Sequence, residues 1–486
     1  MRLGPEIAAL LPILIPALGG LWVLMLVALS RGRDLRWPAA HAVVLLGFSA
    51  VSAILMLSGG GRREVLQGAV LIDPQALLFH LIFVTVALLT ILTSVCHLDS
   101  AGASHGEYFA LILFAVSGMT MMAASESLLT LFLGLEVLSI CLYVLAGFTR
   151  ERVYSIEGAL KYFLLGAFST GFVLYGMALF YGVTGRIDLR GIAERLAMIG
   201  DGPVDPLILI GSALLLIGLG FKIAAVPFHF WAPDVYQGSM APVAGFMAAG
   251  TKAAAFAALV RVLEVGLGDP AVRGRWMALL SAIAILTMVV GNLVALAQRN
   301  IKRMLAYSSV ANAGYLLVAV AAGGRTGQGT PIVLFYLAAY AFMTVGAFSV
   351  VALMARAGEG ELGSEIASFA GLGKRRPALA AAMALFMLSL TGIPPTGGFM
   401  GKFYVFRGAV DAGMYGLAVV GVLMSVVGAF YYLRVVVQMY LREPGANDPP
   451  AAAAPAEALA ILIAAAGTLW IGLFPSGLLR LALSAL

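Results

Sequence analysis

Apolar stretches of about twenty residues follow one another along almost the whole chain. Of the 486 residues, 62% are hydrophobic and only 11% are charged, which excludes an ordinary soluble domain. A helix of about twenty apolar residues can cross roughly 30 Å of hydrocarbon. We therefore predict an all-α polytopic membrane protein. Its fourteen predicted spans are 7–29, 38–57, 74–97, 107–124, 128–148, 157–183, 207–226, 242–264, 276–297, 303–322, 330–355, 378–393 continuing after a break to 410, 415–441 and 457–481.

The charged residues between these spans predict an orientation. An even number of spans places both termini on the same side of the membrane. Arginine and lysine are slightly more frequent in the connections after odd-numbered spans than on the opposite side. Because basic loops face the cytoplasm, we predict that both termini lie outside. The net charge of +6 is then explained by loop charges that set the topology, and no nucleic-acid partner is indicated.

Two of the predicted spans are interrupted by proline. Within Gly218–Lys252 the apolar run breaks at Pro227 and Pro233, and five spans later the segment SLTGIPPTGGFMGKF breaks at Pro394 and Pro395. Proline removes a helical hydrogen bond and clashes with the preceding turn. Broken helices at membrane depth are tolerated where they are enclosed by protein or line a watery cavity. An offset of five spans inverts the second copy, and paired broken helices in inverted repeats indicate a transport site near the midplane.

This repeat divides the chain into four parts. We predict three N-terminal helices in 1–106, a first five-helix repeat in 107–264, an inverted second repeat in 265–441, and a linker with a C-terminal helix in 442–486. The polar connections are short, so no soluble domain is expected. Small amphipathic helices are predicted within 185–205 and 358–377, and a Pro/Ala-rich irregular linker within 443–457.

Four of the six lysines fall inside predicted spans: Lys161, Lys222, Lys252 and Lys402. A charge at the centre of a bilayer costs roughly 2.5–3.5 kcal/mol on insertion scales, so such lysines indicate function. Arginine keeps its charge, whereas a buried lysine can release its proton and hand it on. Glu136, near the middle of the fifth span, is the natural modulator, because an approaching carboxylate favours the charged lysine. The pattern predicts a proton relay.

Structural alternatives remain for each of these residues. Lys161 could pair with Glu157 at i, i+4 on the helix surface and extend to the interface. Lys402 could neutralise free carbonyls at its helix break, and Lys222 and Lys252 could pair with Glu136 to fix helix packing. His229, directly after the first break, could relay protons or hydrogen-bond the broken backbone.

The two cysteines do not indicate a cofactor. Cys96 and Cys141 both lie in apolar runs, without a CxxC motif or a Cys/His spacing typical of metal sites. Neither a disulfide framework nor a metal or iron–sulfur site is supported. We expect both to be small buried hydrophobic side chains.

Several segments resemble one family closely. GLEVLSICLYVLAGF, EGALKYFLLGAFSTGFVLYGMALFYGVTG, KIAAVPFHFWAPDVYQGSMAPV, RNIKRMLAYSSVANAGY and GIPPTGGFMGKFYVF occur in order between about 128 and 406. They are similar to the subunit N family of proton-pumping NADH-quinone oxidoreductase, respiratory complex I. The string WAPDVYQG resembles this family more than its paralogues L and M. We expect no counterpart of the lateral helix of L, and Lys402 stands where M carries a glutamate.

The resemblance implies both a fold and a set of roles. It implies fourteen helices with two inverted five-helix repeats and broken seventh and twelfth helices. It makes Glu136 and Lys222 a coupled pair, Lys252 the central relay, Lys402 the exit-side proton donor or acceptor, and Lys161 a further lysine on the path. Flavin, iron–sulfur clusters and quinone are expected in partner subunits, and no cofactor or metal on this chain.

The same resemblance implies a location and partners. We expect a bacterial plasma-membrane protein that contacts lipid and other complex I membrane subunits, including paralogous antiporter-like ones. NADH oxidation and quinone reduction would take place in the partner subunits. Two alternatives stay open: a subunit of a multisubunit cation/proton antiporter, which shares the architecture without electron transfer, and a structural scaffold whose buried charges only fix packing.

Overall fold

The fold is almost entirely helical. A computed structural model describes residues 3–30, 34–60, 62–198, 204–357, 364–444 and 452–484. Within these ranges the strands are confined to one antiparallel hairpin, β1 (Arg63–Val65) and β2 (Val70–Ile72). The first eight helices are α1 (Leu3–Leu29), α2 (Arg36–Ser58), α3 (Pro74–Ser100), α4 (Glu107–Ala123), α5 (Leu128–Ala146), α6 (Val153–Thr184), α7 (Leu189–Ala197) and α8 (Pro206–Ile223).

The second part of the chain contains the remaining helices. A single span, Ala241–Gly266, contains two α-helical pieces joined by a π turn at Met247–Thr251, and it ends in a second π turn at Val262–Gly266. The helices of this second part are α9 (Trp231–Gly238), α10 (Ala241–Phe246), α11 (Lys252–Arg261), α12 (Pro270–Ala297), α13 (Ile301–Thr326), α14 (Gly329–Ala357), α15 (Leu372–Arg375), α16 (Pro377–Thr391), α17 (Gly397–Asp411), α18 (Tyr415–Leu441), α19 (Pro455–Leu473) and α20 (Pro475–Leu483).

The apolar runs form helices, as the sequence predicts. Within the described ranges, twelve helices are long and apolar enough to cross a membrane. Two shorter apolar helices, α4 and α16, coincide with two further predicted spans. The all-α polytopic fold is confirmed, and the number of fourteen spans stays a prediction.

The short connecting helices agree in part with the sequence. Helix α7 forms inside the predicted amphipathic segment 185–205, and Asp188 caps it by accepting a hydrogen bond from the Gly191 N–H. In the segment 358–377, residues 366–369 form a 3-10 turn followed by α15, whereas 358–363 lie outside the described residues. The middle of the predicted linker, 445–451, also lies outside them.

Both predicted helix breaks are present, with one correction. Helix α8 ends at Ile223, Ala224 has a left-handed backbone with φ of 57°, and Pro227 lies in the non-helical segment before α9. Pro233, predicted as a second break, instead lies in the first turn of α9. Proline is tolerated there because the first N–H groups of a helix have no intrahelical partner. The prediction of a break at Pro233 is therefore wrong.

The second break also follows the proline positions. Helix α16 ends at Thr391, and Gly392 has a positive φ of 90°, which glycine adopts without a Cβ clash. Pro394 and Pro395 occupy the connection, and α17 begins at Gly397. Lys222 precedes the first break and Lys402 follows the second, so each break lies beside a lysine.

The core lies around the middle of the sequence. The most hydrophobic part of Ala241–Gly266 is completely enclosed by protein, and those of α13 and α14 are 94% buried. In α2 only 22% of the corresponding residues are buried. The helix that carries Lys252 is therefore surrounded by other helices, while α2 faces outward.

Candidate functional site

Lys222 lies in the last turn of α8 and is buried without a hydrogen-bond partner. The residue is 3% exposed, and among the described residues no acceptor contacts its ammonium group. Aromatic rings lie around it instead. Its Nζ atom is 5.0 Å from the ring centre of Tyr162, 5.4 Å from that of Tyr143 and 5.8 Å from that of Phe221. Ring faces attract a cation but accept no proton, so proton exchange here needs another group to approach.

Glu136 is the predicted partner of Lys222. It is half-buried on α5, and its Oε1 accepts a hydrogen bond of 2.8 Å from Thr170 Oγ1 on α6. Among the described residues, no ion pair within 4.0 Å joins Glu136 and Lys222. The structure therefore does not bring this predicted pair into direct contact.

Lys252 begins α11, directly after a π turn. It is 2% exposed, and its Nζ donates a hydrogen bond to the backbone oxygen of Ser309 on α13. The ring centre of Tyr340 lies 5.7 Å from the same atom. Since π turns are frequent at functional sites, the position of Lys252 next to one agrees with a functional role. The hydroxyls of Thr251 and Ser309 are buried, and within the described part of the chain neither has a hydrogen-bond partner.

Lys402 lies on α17 and forms hydrogen bonds to the end of α16 across the second helix break. Its Nζ donates to the backbone oxygens of Leu390 and Thr391, both at 2.9 Å, and to Ser425 Oγ at 2.8 Å. The ring centre of Tyr315 lies 4.9 Å away. The last carbonyls of a helix lack intrahelical partners, and Lys402 supplies donors to two of them. The structural role considered for Lys402 is therefore observed, and it does not exclude proton transfer.

Lys161 differs from the other three lysines. Its side chain is 42% exposed, and its Nζ forms ion pairs with Glu157 Oε1 at 2.7 Å and with Asp234 Oδ2 at 2.8 Å. The predicted helix-surface pair with Glu157 is thus observed. Lys161 lies at the edge of the protein, outside the group of buried lysines.

Asp234 is a charged residue that the sequence analysis did not single out. Its Oδ1 accepts a hydrogen bond of 2.7 Å from Arg303 Nη1 on α13, while its Oδ2 binds Lys161 on α6. The Nη1 atom of Arg303 also donates to Gln237 Oε1 at 2.9 Å. The sequence contained a signal for this residue, because an acidic side chain follows the first break close to the predicted intramembrane lysines.

His229 lies in the non-helical segment after α8. It is 6% exposed, and its Nδ1 has no hydrogen-bond partner among the described residues. Its ring centre is 4.7 Å from that of Phe230 and 6.4 Å from that of Tyr307.

A chain of contacts between buried polar side chains connects Lys252 with Lys402. The hydrogen bonds include Tyr336 Oη to Asn312 Oδ1 at 2.5 Å and Tyr431 Oη to Asn292 Oδ1 at 3.1 Å. The rings of the neighbouring tyrosines contact one another. We call this set the tyrosine row. In order from Lys252 it contains Tyr340, Tyr336, Asn312, Ser308, Tyr432, Tyr431, Asn292 and Tyr315.

The described residues offer no evident metal site. No group of three or more His, Cys, Asp or Glu side chains in these parts of the chain could hold a metal ion. Cys141 is buried and Cys96 is half-buried. The arrangement supplies amines, one half-buried carboxylate and hydroxyls, which are groups suited to holding and moving protons.

Comparisons with known proteins identify the family of the chain. The family described as NADH:quinone oxidoreductase/Mrp antiporter, TM, matches residues 125–428. The NADH-quinone oxidoreductase subunit N of Trichlorobacter lovleyi is 48% identical over 94% of this chain and 91% of its own length. A chain in the structure of respiratory complex I from Thermus thermophilus with bound aureothin is 35% identical, with a TM-score of 0.81, over 96% of this chain and 98% of that one.

A further structural match concerns the fold alone. A chain in the Mrp complex from Dietzia sp. DQ12-45-1b is 24% identical, with a TM-score of 0.84, over 100% of this chain and 97% of that one. The sequence match to subunit N is much higher and covers nearly all of both chains. The chain therefore belongs to the subunit N family of NADH-quinone oxidoreductase.

Proposed function

We propose that protons cross the membrane through this chain along a buried relay. Glu136 modulates the charge of Lys222, Lys252 is the central carrier, and Lys402 is the exit-side donor or acceptor. Lys161 is a further lysine at the edge of this path. The family is that of a membrane subunit of a proton-translocating quinone oxidoreductase, which supports this function for the chain.

The burial of three lysines without a contacting carboxylate carries the proposal. Among the described residues, no ion pair joins Lys222, Lys252 or Lys402 to an acidic side chain, although each is at most 5% exposed. An uncompensated buried charge is costly, whereas a neutral amine is not. Each of these lysines is therefore suited to alternate between the two protonation states. A purely structural lysine would be expected to keep a counterion.

The tyrosine row supports transfer between Lys252 and Lys402. A hydroxyl group can accept one proton while it donates another, so the hydrogen-bonded pair of Ser308 and Tyr432 can pass a proton. The amide groups of Asn292 and Asn312 accept on oxygen and donate on nitrogen, so they orient their neighbours rather than relay. Protons would need rotation of side chains, or bridging water, to pass the two amides and the links of the row that are ring contacts.

Partner subunits complete the activity in this proposal. NADH oxidation and quinone reduction take place in other subunits of the complex, and this chain holds no redox centre. The structure of complex I from Thermus thermophilus contains a chain that is similar over almost its full length, which supports assembly with other membrane subunits. The proposed location is the bacterial plasma membrane, with both termini on the outer side.

A substitution of the central lysine tests the relay. In the whole complex, Lys252→Met is expected to lower NADH-driven proton pumping in inside-out vesicles to less than about one tenth, because a positioned proton-transfer group contributes roughly 10²–10⁴ in rate. Lys374→Met is the matched control, because Lys374 is an exposed lysine paired with Glu443. Pumping by an assembled Lys252→Met complex at the unchanged rate would refute the relay.

The fold shared with a chain of the Mrp complex keeps a second candidate function in view. As a subunit of a cation/proton antiporter, the chain would exchange protons for cations without electron transfer. Cation-dependent proton exchange in vesicles without NADH or quinone would favour this function. If Lys252→Met instead reduced the amount of assembled complex and left pumping per complex unchanged, the chain would be a structural scaffold.

A further inference from the structure

We infer that Asp234 is a positioning residue that links the charge of Lys161 to the surroundings of Lys222. The inference deepens the proposed function and rests on it, since it concerns a lysine of the relay. It starts from an unusual feature of α9. This helix follows the first break, and its single carboxylate, that of Asp234, binds cations from two other helices, Lys161 of α6 and Arg303 of α13.

Helix α13 holds α9 at two points. Arg303 Nη1 donates to Asp234 Oδ1 at 2.7 Å. One residue earlier, Lys302 Nζ donates to the backbone oxygens of Gln237 at 2.5 Å and Ser239 at 2.9 Å, at the carboxyl end of α9. These contacts attach α9 to the second predicted repeat.

Helix α6 holds α9 through a second pair of contacts. Lys161 Nζ lies 2.8 Å from Asp234 Oδ2, and the adjacent Tyr162 stacks on Trp231 with ring centres 4.5 Å apart and planes 15° apart. The two backbones also touch, because a Cβ added at Gly158 would lie 3.2 Å from the backbone oxygen of Asp234. The ion pair and the aromatic stack therefore fix the same two helices against each other.

The stacked rings border Lys222. Its Nζ lies 5.0 Å from the ring centre of Tyr162, and Trp231 Nε1 donates to the backbone oxygen of Phe221, the residue before Lys222. A displacement of α9 relative to α6 would move Trp231, and with it both the stack and this backbone contact. The surroundings of Lys222 thus depend on the contact that Asp234 holds.

The charged groups around Asp234 determine whether ion pairs attach α9 to its neighbouring helices. Facing groups are Lys161 and Glu157 on α6, and Arg303 with Lys302 on α13. When Lys161 is charged, Asp234 attaches α9 to both α6 and α13. When the charge of Lys161 is removed, as in Lys161→Met, Asp234 keeps its contact with Arg303, and the ionic attachment to α6 is lost. The charge of Lys161 therefore affects how firmly Tyr162 and Trp231 enclose Lys222.

The test uses Asp234→Asn in the whole complex, with pumping per NADH oxidised measured in inside-out vesicles from pH 6 to 9. Loss of such a coupling contact changes an equilibrium by roughly 2- to 30-fold. We expect pumping to fall at least about threefold and its pH profile to shift, with partial recovery in Asp234→Glu. Glu443→Gln, which removes an exposed salt-bridge carboxylate, is the control and should match the unchanged complex.

Two further variants separate the possible outcomes. If Asp234→Asn does not assemble, the double variant Asp234→Asn with Arg303→Gln removes one charge of each sign and restores balance. The double variant should still show the shifted pH profile, because the ionic contact between α9 and α6 remains absent. A normal pH profile and normal pumping in either assembled variant would overturn the inference. Lys222→Met tests the relay separately, so failure of one idea is distinguishable from failure of the other.

Discussion

The two helix breaks of this protein place their lysines in opposite chemical surroundings. At the first break, the indole of Trp231 donates to the carbonyl of Phe221, and the neighbouring Lys222 has no hydrogen-bond partner among the described residues. At the second break, Lys402 itself donates to the carbonyls of Leu390 and Thr391. Both breaks are broken helices beside a lysine. Among the described residues, the ammonium group of Lys222 nevertheless has no hydrogen bond, whereas that of Lys402 donates three.

This difference indicates where the charge can be controlled. Carbonyls at a helix end carry a partial negative charge, and Lys402 donates hydrogen bonds to two of them. Among the described residues, Lys222 lies against ring faces and has neither a hydrogen-bond partner nor an acidic side chain within ion-pair distance. We therefore propose that control acts at the first break and that the second break retains the proton.

The largest expected effect comes from Lys402→Met. This change removes a relay group and also removes the donor to the Leu390 carbonyl and to the Ser425 hydroxyl, while the Thr391 carbonyl keeps a hydrogen bond of 3.3 Å from Ser425 Oγ. An unsatisfied buried polar group costs about 1–3 kcal/mol. We expect pumping below about one tenth of the unchanged value, together with earlier thermal denaturation of the purified complex. Equal thermal stability would show that the hydrogen bonds at the second break contribute little.

Lys222→Met should separate pumping from stability. Because Lys222 makes no hydrogen bond in the described residues, methionine removes a charge without leaving an acceptor unsatisfied. We expect a similar loss of pumping, to less than about one tenth, in a complex that assembles and denatures at the unchanged temperature. If Lys222→Met destabilised the complex as strongly as Lys402→Met, the contrast between the two breaks would be wrong.

The architecture could be predicted because it depends on hydrophobicity and on proline. Runs of apolar residues become helices, and Pro227, Pro394 and Pro395 interrupt them near the predicted positions. Pro233 misled the prediction because the effect of proline depends on position: it prevents helix continuation but fits the first turn of a new helix. The sequence does not reveal that α9 starts as early as Trp231.

The site could be predicted only in its buried charges. Lys222, Lys252 and Lys402 stand out because charge within an apolar run is rare. The residues of the tyrosine row do not stand out in the sequence. They come from four helices, and a single tyrosine, serine or asparagine is common in a membrane-spanning helix. Ser308, Asn312 and Tyr315 do follow helical spacing along one face of α13, and so do Tyr336 and Tyr340 on α14. Only the packing of these faces against α12 and α18 joins them.

Glu136→Gln should have the smallest effect of the three and bears most directly on control at the first break. Glutamine retains an oxygen that can accept the 2.8 Å hydrogen bond from Thr170, so the change removes charge and little else. Since Glu136 and Lys222 are not in contact, we expect pumping to fall only by about three- to tenfold, within the range typical of coupling between sites.

Thr170→Val is the matched variant for Glu136→Gln, because it removes the hydrogen bond and keeps the charge. If control acts through charge, Thr170→Val should pump almost normally while Glu136→Gln does not. If both variants lose pumping equally, the position of the Glu136 side chain matters as much as its charge. If neither variant loses pumping, another group controls the charge of Lys222. The aromatic contact between α6 and α9 would then be the next contact to test.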